Sequence, residues 1–454
     1  MKTWHCIGIG IIMGWAISPL CAQQEPLTLA SAVQYALRHH PSMENVRLEI
    51  DKSRRKIWET TAIGLPQLSV DASYQQFIEQ PVQLIPARIF DPRAPEDAYI
   101  PVKFGTEQTM KWNATVHQLI FNGSYIVGLQ SARTYKAIAE LAAEKTRQKI
   151  IEAVVNAYLQ LVLTQTQFEL VQKNIELVDK DVQHTLKLYR EGLVDRNAVD
   201  QLQMTLSSLR SQEAQAKRMI GVAKRALLWA MGRKVTDSIT ISASLESMLT
   251  QWQDSTVSLP VFDPTRHPDY RLAQRQTEGQ RLLWKNEKAK ALPVISGFLV
   301  YGQYAYSNEF DFFNNSGLWS QQSLLGVQVQ FPLFTSWARQ SRIDQARMEY
   351  QKALLEMWQT EQRLRTDFAR QWASYRQAQE QLSLRAEQME LAQRIARHTG
   401  IKYREGLIGS FQLHQSWMQL FTAQQQYLQS IADFIRQKVR LYQLLGKPIF
   451  SDNS

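Results

Sequence analysis

The mature chain has no cysteine. Both of its two cysteines, Cys6 and Cys21, fall in residues 1–22. That stretch has a basic start at Lys2, an apolar core from Cys6 to Leu20 and a small residue at Ala22, the pattern of a Sec-type signal peptide cleaved after Ala22. Cys21 as a lipid-bearing cysteine is the competing reading, set against Pro19 and Leu20 standing where small residues are expected. With no thiol left, disulfides and thiol chemistry are excluded, and packing alone must hold an extracytoplasmic chain. Long apolar runs are missing too. After Ala22 nothing approaches the ~20 residues of a membrane helix, so entry into a membrane requires a β-barrel. Charge of one sign is not concentrated: 52 Lys and Arg against 42 Asp and Glu give +10, spread through helical heptads. That is the pattern of solvated helix faces and not of a nucleic-acid-binding tract.

Catalytic constellations are lacking as well. There is no Gly-rich phosphate loop. His39 and His40 precede Pro41 at a helix end, and His398 and His414 have no cysteine or carboxylate at ligand spacing. No nucleophile elbow supports a Ser-His-Asp set. The expectation is a protein without catalytic residues, cofactor or metal. Met204, Met231, Met348, Met357, Met389 and Met418 are scattered at helical positions and read as core packing; a copper-export role would want them clustered.

What is present is a duplication. Tyr189-Arg190-Glu191-Gly192-Leu193 returns as Tyr403-Arg404-Glu405-Gly406-Leu407, 214 positions on. His40-Pro41 answers His267-Pro268, and Leu65-Pro66 answers Leu292-Pro293, both at 227, while Phe121-Asn122-Gly123 stands opposite Phe334-Thr335-Ser336 at 213. About 14 residues are therefore extra in the first copy between Pro66 and Phe121. A long duplicated unit points to a pseudo-symmetric body or an oligomer that multiplies it. We divide the chain into a first structural repeat at 23–236, an inter-repeat segment at 237–263, a second repeat at 264–446 and a loose tail at 447–454.

Each repeat reads helix, strand, loop, strand, long helix, turn, helix. The first opens with Thr28 as N-cap and continues as charge-rich helix to about Ala62, ended by Gly64 and Pro66. Strands follow by alternation. Leu68, Val70, Ala72 and Tyr74 oppose Gln67, Ser69, Asp71 and Ser73. Trp112, Ala114, Val116 and Ile120 make a similar side, with Gln118 an exception. Val294 to Val300 and Leu324 to Phe331 supply the other two. Two-faced strands of about ten residues suit either a membrane barrel or a half-buried soluble sheet. A proline-rich connection over 76–106 and aromatics at strand ends (Trp112, Tyr301, Tyr304, Tyr306, Trp319, Trp337) favour the barrel. Four strands cannot close one alone.

The helices are more specific. Ser124–Arg190 holds no proline and one glycine, Gly128; Ser336–Arg404 is interrupted only at Gly400. At ~1.5 Å per residue each is a rod of about 100 Å. Return helices follow over Asp195–Met231 and Ser410–Leu445. Val199, Leu202, Leu206, Leu209, Glu213, Ala216, Ile220, Ala223, Leu227 and Ala230 alternate by 3 and 4, a coiled-coil seam. The second seam, Leu413 through Leu444, is leakier at Ser416, Ser430 and Gln437. Between the repeats, Ile239, Ile241 and Leu245 suggest a short strand or irregular patch.

Four signatures together resemble the TolC-like outer-membrane efflux proteins over nearly the whole mature chain: the Leu-Thr-Leu…Ala-Val…Ala-Leu…His-Pro opening at 27–41, the Leu-Pro helix-to-strand step, the Tyr-x-x-Gly turn, and the two-copy organisation. The resemblance implies a mainly α chain with membrane β-structure. Three chains form a homotrimer with one 12-stranded β-barrel in the outer-membrane lipid of a Gram-negative-type cell, continued by an α-barrel tunnel through the periplasm. It implies an exit duct of a tripartite efflux or type I secretion system, joined by a periplasmic adaptor to an inner-membrane pump of RND or ABC type, with no nucleic-acid partner. A periplasmic adaptor or a non-pore coiled-coil scaffold is the alternative.

The resemblance also places the hairpin turns at the periplasmic tip, where the adaptor docks: Tyr189, Gly192 and Leu193, with Tyr403, Gly406 and Leu407. The glycines permit a tight turn that a side chain would obstruct. Tyr403, Gln412 and Gln415 match constriction positions, Tyr403 being equally placed to pack between helices. Members of the family often carry an aspartate six residues after the turn glycine; here Ala198 and Gln412 stand there. A tip of neutral amides is expected to show weak or no block by divalent cations.

Overall fold

The computed structural model describes residues 27–241, 243–253, 261–314 and 319–447. The expected signal peptide and most of the expected tail lie outside them. Among these described residues eight α-helices and six strands run in the order α1 (Leu29–His39), α2 (Pro41–Ala62), β1 (Gln67–Gln76), β2 (Val82–Pro86), β3 (Tyr99–Lys103), β4 (Gln108–Asn122), α3 (Gly123–Arg190), α4 (Arg196–Ala230), α5 (Leu245–Gln253), α6 (Pro268–Ala289), β5 (Val294–Ser307), β6 (Trp319–Gln330), α7 (Ala338–Arg404) and α8 (Ser410–Leu444). Among the described residues no helix is long and apolar enough to cross a membrane.

The described residues fall into two compact units, one within Met1–His40, Ile150–Thr256 and Gln377–Arg436, the other within Pro41–Lys149, Val257–Arg376 and Gln437–Ser454. Neither coincides with a sequence repeat; each draws on both.

The second unit holds a four-stranded antiparallel sheet in the order β1-β4-β5-β6. Its register aligns side chains by chemistry. Leu68, Val70 and Ala72 face Val116, Ala114 and Trp112. Val116 and Ala114 face Leu299 and Tyr301, and Leu299 faces Leu325. This apolar side is bare, with Leu68 at 70% and Leu325 at 78% exposure. The other side carries Gln67, Ser69, Asp71 and Ser73 against His117, Thr115, Asn113 and Lys111, then Gln322, Ser320 and Gln328 on β6. The Gln118 exception has a local cause: its amide donates to Gly64 O at 2.8 Å, closing the helix-to-strand turn. Trp112 and Tyr301 meet edge to face at 5.9 Å.

In the same unit α2, the first part of α3, α6 and the first part of α7 lie side by side. Tyr135 donates to Glu49, Lys145 pairs with Asp269 at 2.9 Å, and Thr277 donates to Ala353 O.

Four expectations need correction. The opening helix is two helices, because Pro41 offers no N–H and turns His40 to ψ 132. The connection over 76–106 contains the ribbon β2–β3, with Leu84 opposite Pro101 and Pro86 opposite Tyr99; a two-stranded ribbon is all edge and tolerates proline. The patch at Leu245 begins helix α5, capped by Ser244 on Ser247 N–H. Leu245, Met248, Leu249 and Trp252 bury one face of it, a spacing of 3, 4 and 7 that the sequence displayed. Finally, α7 starts two residues late, after Ser336 and Trp337 adopt φ 48 and 63, while Gly400 does not interrupt it.

In the first unit α1 opens with Thr28 in a capping box with Ser31. The α4 seam is buried at Val199, Leu202, Leu206 and Leu209 and again at Ala223, Leu227 and Ala230. At its middle Glu213 accepts from Gln172 Nε2 at 3.0 Å. Two of the three polar seam residues of α8 are buried yet satisfied locally: Ser416 and Ser430 donate to Leu413 O and Tyr427 O, so they dry out without an orphaned hydroxyl.

Candidate functional site

Both YREGL turns end their long helices identically. Gly192 N–H donates to Tyr189 O and Leu193 N–H to Leu188 O at 3.0 and 2.9 Å; Gly406 and Leu407 repeat this on Tyr403 O and Lys402 O at the same distances. These paired bonds form a Schellman motif. Gly192 has φ +75 and Gly406 φ +72, and a Cβ on either would meet nothing within 4 Å. The glycines are therefore required by backbone conformation, not by crowding: a side chain is strained there but not obstructed. The same motif closes α4 at Gly232 and α8 at Gly446, so it is the common stop of the four longest helices.

What distinguishes the turns is their surface. Leu193 and Leu407 are 67% and 68% exposed, although this position commonly packs back on its helix. Two apolar residues thus project from the turns. The tyrosines diverge. Tyr189 is 40% exposed, whereas Tyr403 is 4% exposed.

Tyr403 lies in a core with Val178 and Val182 of α3, Leu202, Leu206 and Leu209 of α4, and Leu413 and Trp417 of α8. Its hydroxyl is 2.7 Å from Thr185 Oγ1, and Thr185 Oγ1 donates to Asp181 O at 2.7 Å. Threonine has one hydroxyl proton, so Tyr403 must donate to Thr185. Burial pushes the Tyr403 phenol up, against the Thr185 hydrogen bond. Burial likewise raises the Asp181 carboxyl, opposed by nearby Arg404 and His184. His184 Nε2 is buried without a hydrogen-bond partner.

Of the residues matched to a constriction, Tyr403 packs between helices of the protomer, while Gln412 and Gln415 are exposed. The two acids nearest the first turn have local tasks. Asp195 caps α4 on Ala198 N–H, and Asp200 sits 3.7 Å from Arg196. Sequence reasoning missed two ties between α4 and α8: Thr205 Oγ1 to His414 Nδ1 at 2.8 Å and Ser410 Oγ to Gln201 Oε1 at 3.1 Å. Only the separation of 209 between the partners marks them, and no periodicity reveals that. The methionine expectation also needs correction. Met231 is fully buried, but Met204 is 75%, Met348 61% and Met418 46% exposed, because they fall outside the seams.

Residues 32–233 and 266–447 match the family model of outer membrane efflux proteins. The toluene efflux pump outer membrane protein TtgF of Pseudomonas putida is 23% identical over 311 residues, which is 67% of this chain and 63% of TtgF, so the match spans less than two thirds of that relative. The fold is shared with VceC of Vibrio cholerae (TM-score 0.72, 18% identity, 93% of this chain and 97% of that one). It is shared also with the open state of the MtrE channel of Neisseria gonorrhoeae (TM-score 0.73, 16% identity, 94% and 90%). With the family model covering both repeats, the chain belongs to the outer membrane efflux protein family.

Proposed function

We propose that three copies of this chain close a twelve-stranded barrel in the outer membrane and continue it as a helical tunnel, the exit duct of a tripartite efflux or type I secretion system. The sheet carries this reading. Its edge strands, β1 and β6, have no partner on their outer sides among the described residues, and one face is apolar and bare. In hydrocarbon each unsatisfied backbone group costs several kcal/mol, so an open edge is not tolerated. Because each pairing is antiparallel, β1 and β6 run in opposite directions. The β6 edge of one copy can therefore continue the ladder on the β1 edge of the next, and rotation closes it. The apolar face then meets lipid and the polar face lines the pore. Outer helices α2 and α7 support the same assembly: Trp58 on α2 and Leu355 and Trp358 on α7 are about 60% exposed and would be covered by a second copy.

At the tip, Leu193 and Leu407 present six apolar projections in a trimer, suited to the helical hairpins of an adaptor. The partner pump supplies the energy. Gln412 and Gln415 leave the mouth without a carboxylate ring, so block by millimolar divalent cations is weak or absent.

The test is reconstitution of the full chain in planar bilayers together with carbonate extraction of membranes. The reading requires a trimer that resists carbonate and conducts. Release by carbonate sinks it, and strong divalent block from the periplasmic side sinks the account of the tip.

A further inference from the structure

We propose that the groove between α3, α4 and α8 in the first unit binds a soft monovalent metal ion, copper(I) or silver(I), on Met204, His414 and Met418. The groove is a cavity of about 720 Å³. Its lining contains no Asp, Glu, Lys or Arg, in a chain that is 21% charged. Thioethers and one imidazole are its only metal-binding side chains.

All three residues line this one groove. Thr205 is bonded to His414 across α4 and α8. Met204 is the residue before Thr205, and Met418 lies one helical turn beyond His414. The bond to Thr205 uses His414 Nδ1 at 2.8 Å, fixing the ring and leaving Nε2 as the donor, as a hydrogen bond to the other ring nitrogen does for a metal-bound histidine. Met204 and Met418 are 75% and 46% exposed, so their sulfurs are reachable. Met219 lines the same groove but stands about 22 Å along α4 from Met204 at ~1.5 Å per residue, and takes no part.

The donor set selects the ion. Thioether and imidazole are soft or borderline neutral ligands and favour copper(I); silver(I) has the same charge and preference. A hard divalent ion prefers carboxylate and other oxygen ligands, and the lining offers no carboxylate. The proposal does not depend on the channel reading, because it is tested on solubilised protein.

Silver(I) is the probe, being redox-silent. The full chain in detergent, labelled with ¹³C at the methionine methyl groups, is titrated with silver nitrate in chloride-free buffer, and bound silver per chain is measured after desalting. One silver ion per chain is expected, with methyl shifts confined to Met204 and Met418. The variants Met204→Leu and Met418→Leu each weaken binding at least about tenfold, and Thr205→Val by about 10- to 100-fold through loss of ring orientation. Zinc(II) at equal concentration causes no shift. The buried methyl of Met231 reports that each variant stays folded. Absence of saturable binding, undiminished silver when Met204→Leu and Met418→Leu are combined, or shifts only at other methionines overturns the proposal.

Discussion

Tyr403→Phe separates a structural tyrosine from a gate residue in the pore. The ring stays in its core cluster and only the hydroxyl is lost. Thr185 Oγ1 continues to donate to Asp181 O, so no buried donor is orphaned and the cost is one net hydrogen bond, about 1 kcal/mol. That shifts an equilibrium between tied and released tips about fivefold. Thr185→Val is different: it leaves the Tyr403 hydroxyl buried with no acceptor and costs about 1–3 kcal/mol. Tyr403→Ala also removes the ring and costs about 3–5 kcal/mol. The assay pairs hydrogen–deuterium exchange of 400–409 with single-channel recording. Exchange and open probability should rise together in the order Tyr403→Phe, Thr185→Val, Tyr403→Ala. If Tyr403→Ala changes conductance while exchange in the turn is unchanged, the tyrosine acts in the pore and the reasoning is wrong.

Gly192→Ala and Gly406→Ala should each destabilise by about 1 kcal/mol through left-handed backbone strain alone, with asparagine milder than alanine; denaturant titration in detergent checks this, and a loss above about 3 kcal/mol would reveal a contact. Trp417, 1% exposed, should cost about 3–5 kcal/mol when cut to alanine, read from the same titration. His267 caps α6 by accepting from Asp269 N–H at 3.2 Å, which requires a neutral ring. Burial holds its pKa below the ordinary 6.5; Lys145 and Arg363 add to this and Asp269 and Glu144 oppose it. A base with a lowered pKa is less protonated folded than unfolded, so its stability is complete above pH 6.5 and declines as pH falls through 6.5 toward the lowered value. Amide exchange in the first turn of α6 should accelerate in that window, and not in His267→Asn, whose cap does not titrate.

Much of the fold was legible because it is built from periodic pieces. The strands announced themselves by alternation, the return helix by its 3-and-4 seam, and the turns by a repeated pentapeptide. What escaped notice was non-periodic or non-local. The ribbon β2–β3 is five residues a side and carries two prolines, so its pattern is too short to stand out. The break at Pro41 was visible as a proline, yet the periodic apolar face before it and the charged helix after it read as one element. The site was half legible. Its turns could be found from Gly192 and Gly406, but the burial of Tyr403 depends on Thr185, 218 positions away.

The divergence of the two tyrosines gives the duplication its mechanical sense. Had both copies stayed alike, Tyr189 and Tyr403 would share one environment and the turns would be interchangeable. Instead Tyr403 is tied to α3 through Thr185, and α8 is tied to α4 through His414 and Ser410. Moving the second hairpin against the first breaks these three bonds and that of Asn174 Nδ2 to Gln424 Oε1, worth about 4 kcal/mol together at ~1 kcal/mol each, and disturbs the apolar core around Tyr403. In the proposed duct such ties would keep the resting state dominant until a docked adaptor offsets them. Tyr189, by contrast, is 40% exposed. One copy therefore supplies a surface and the other a restraint, so that in the proposed trimer the six turns would have threefold and not sixfold equivalence.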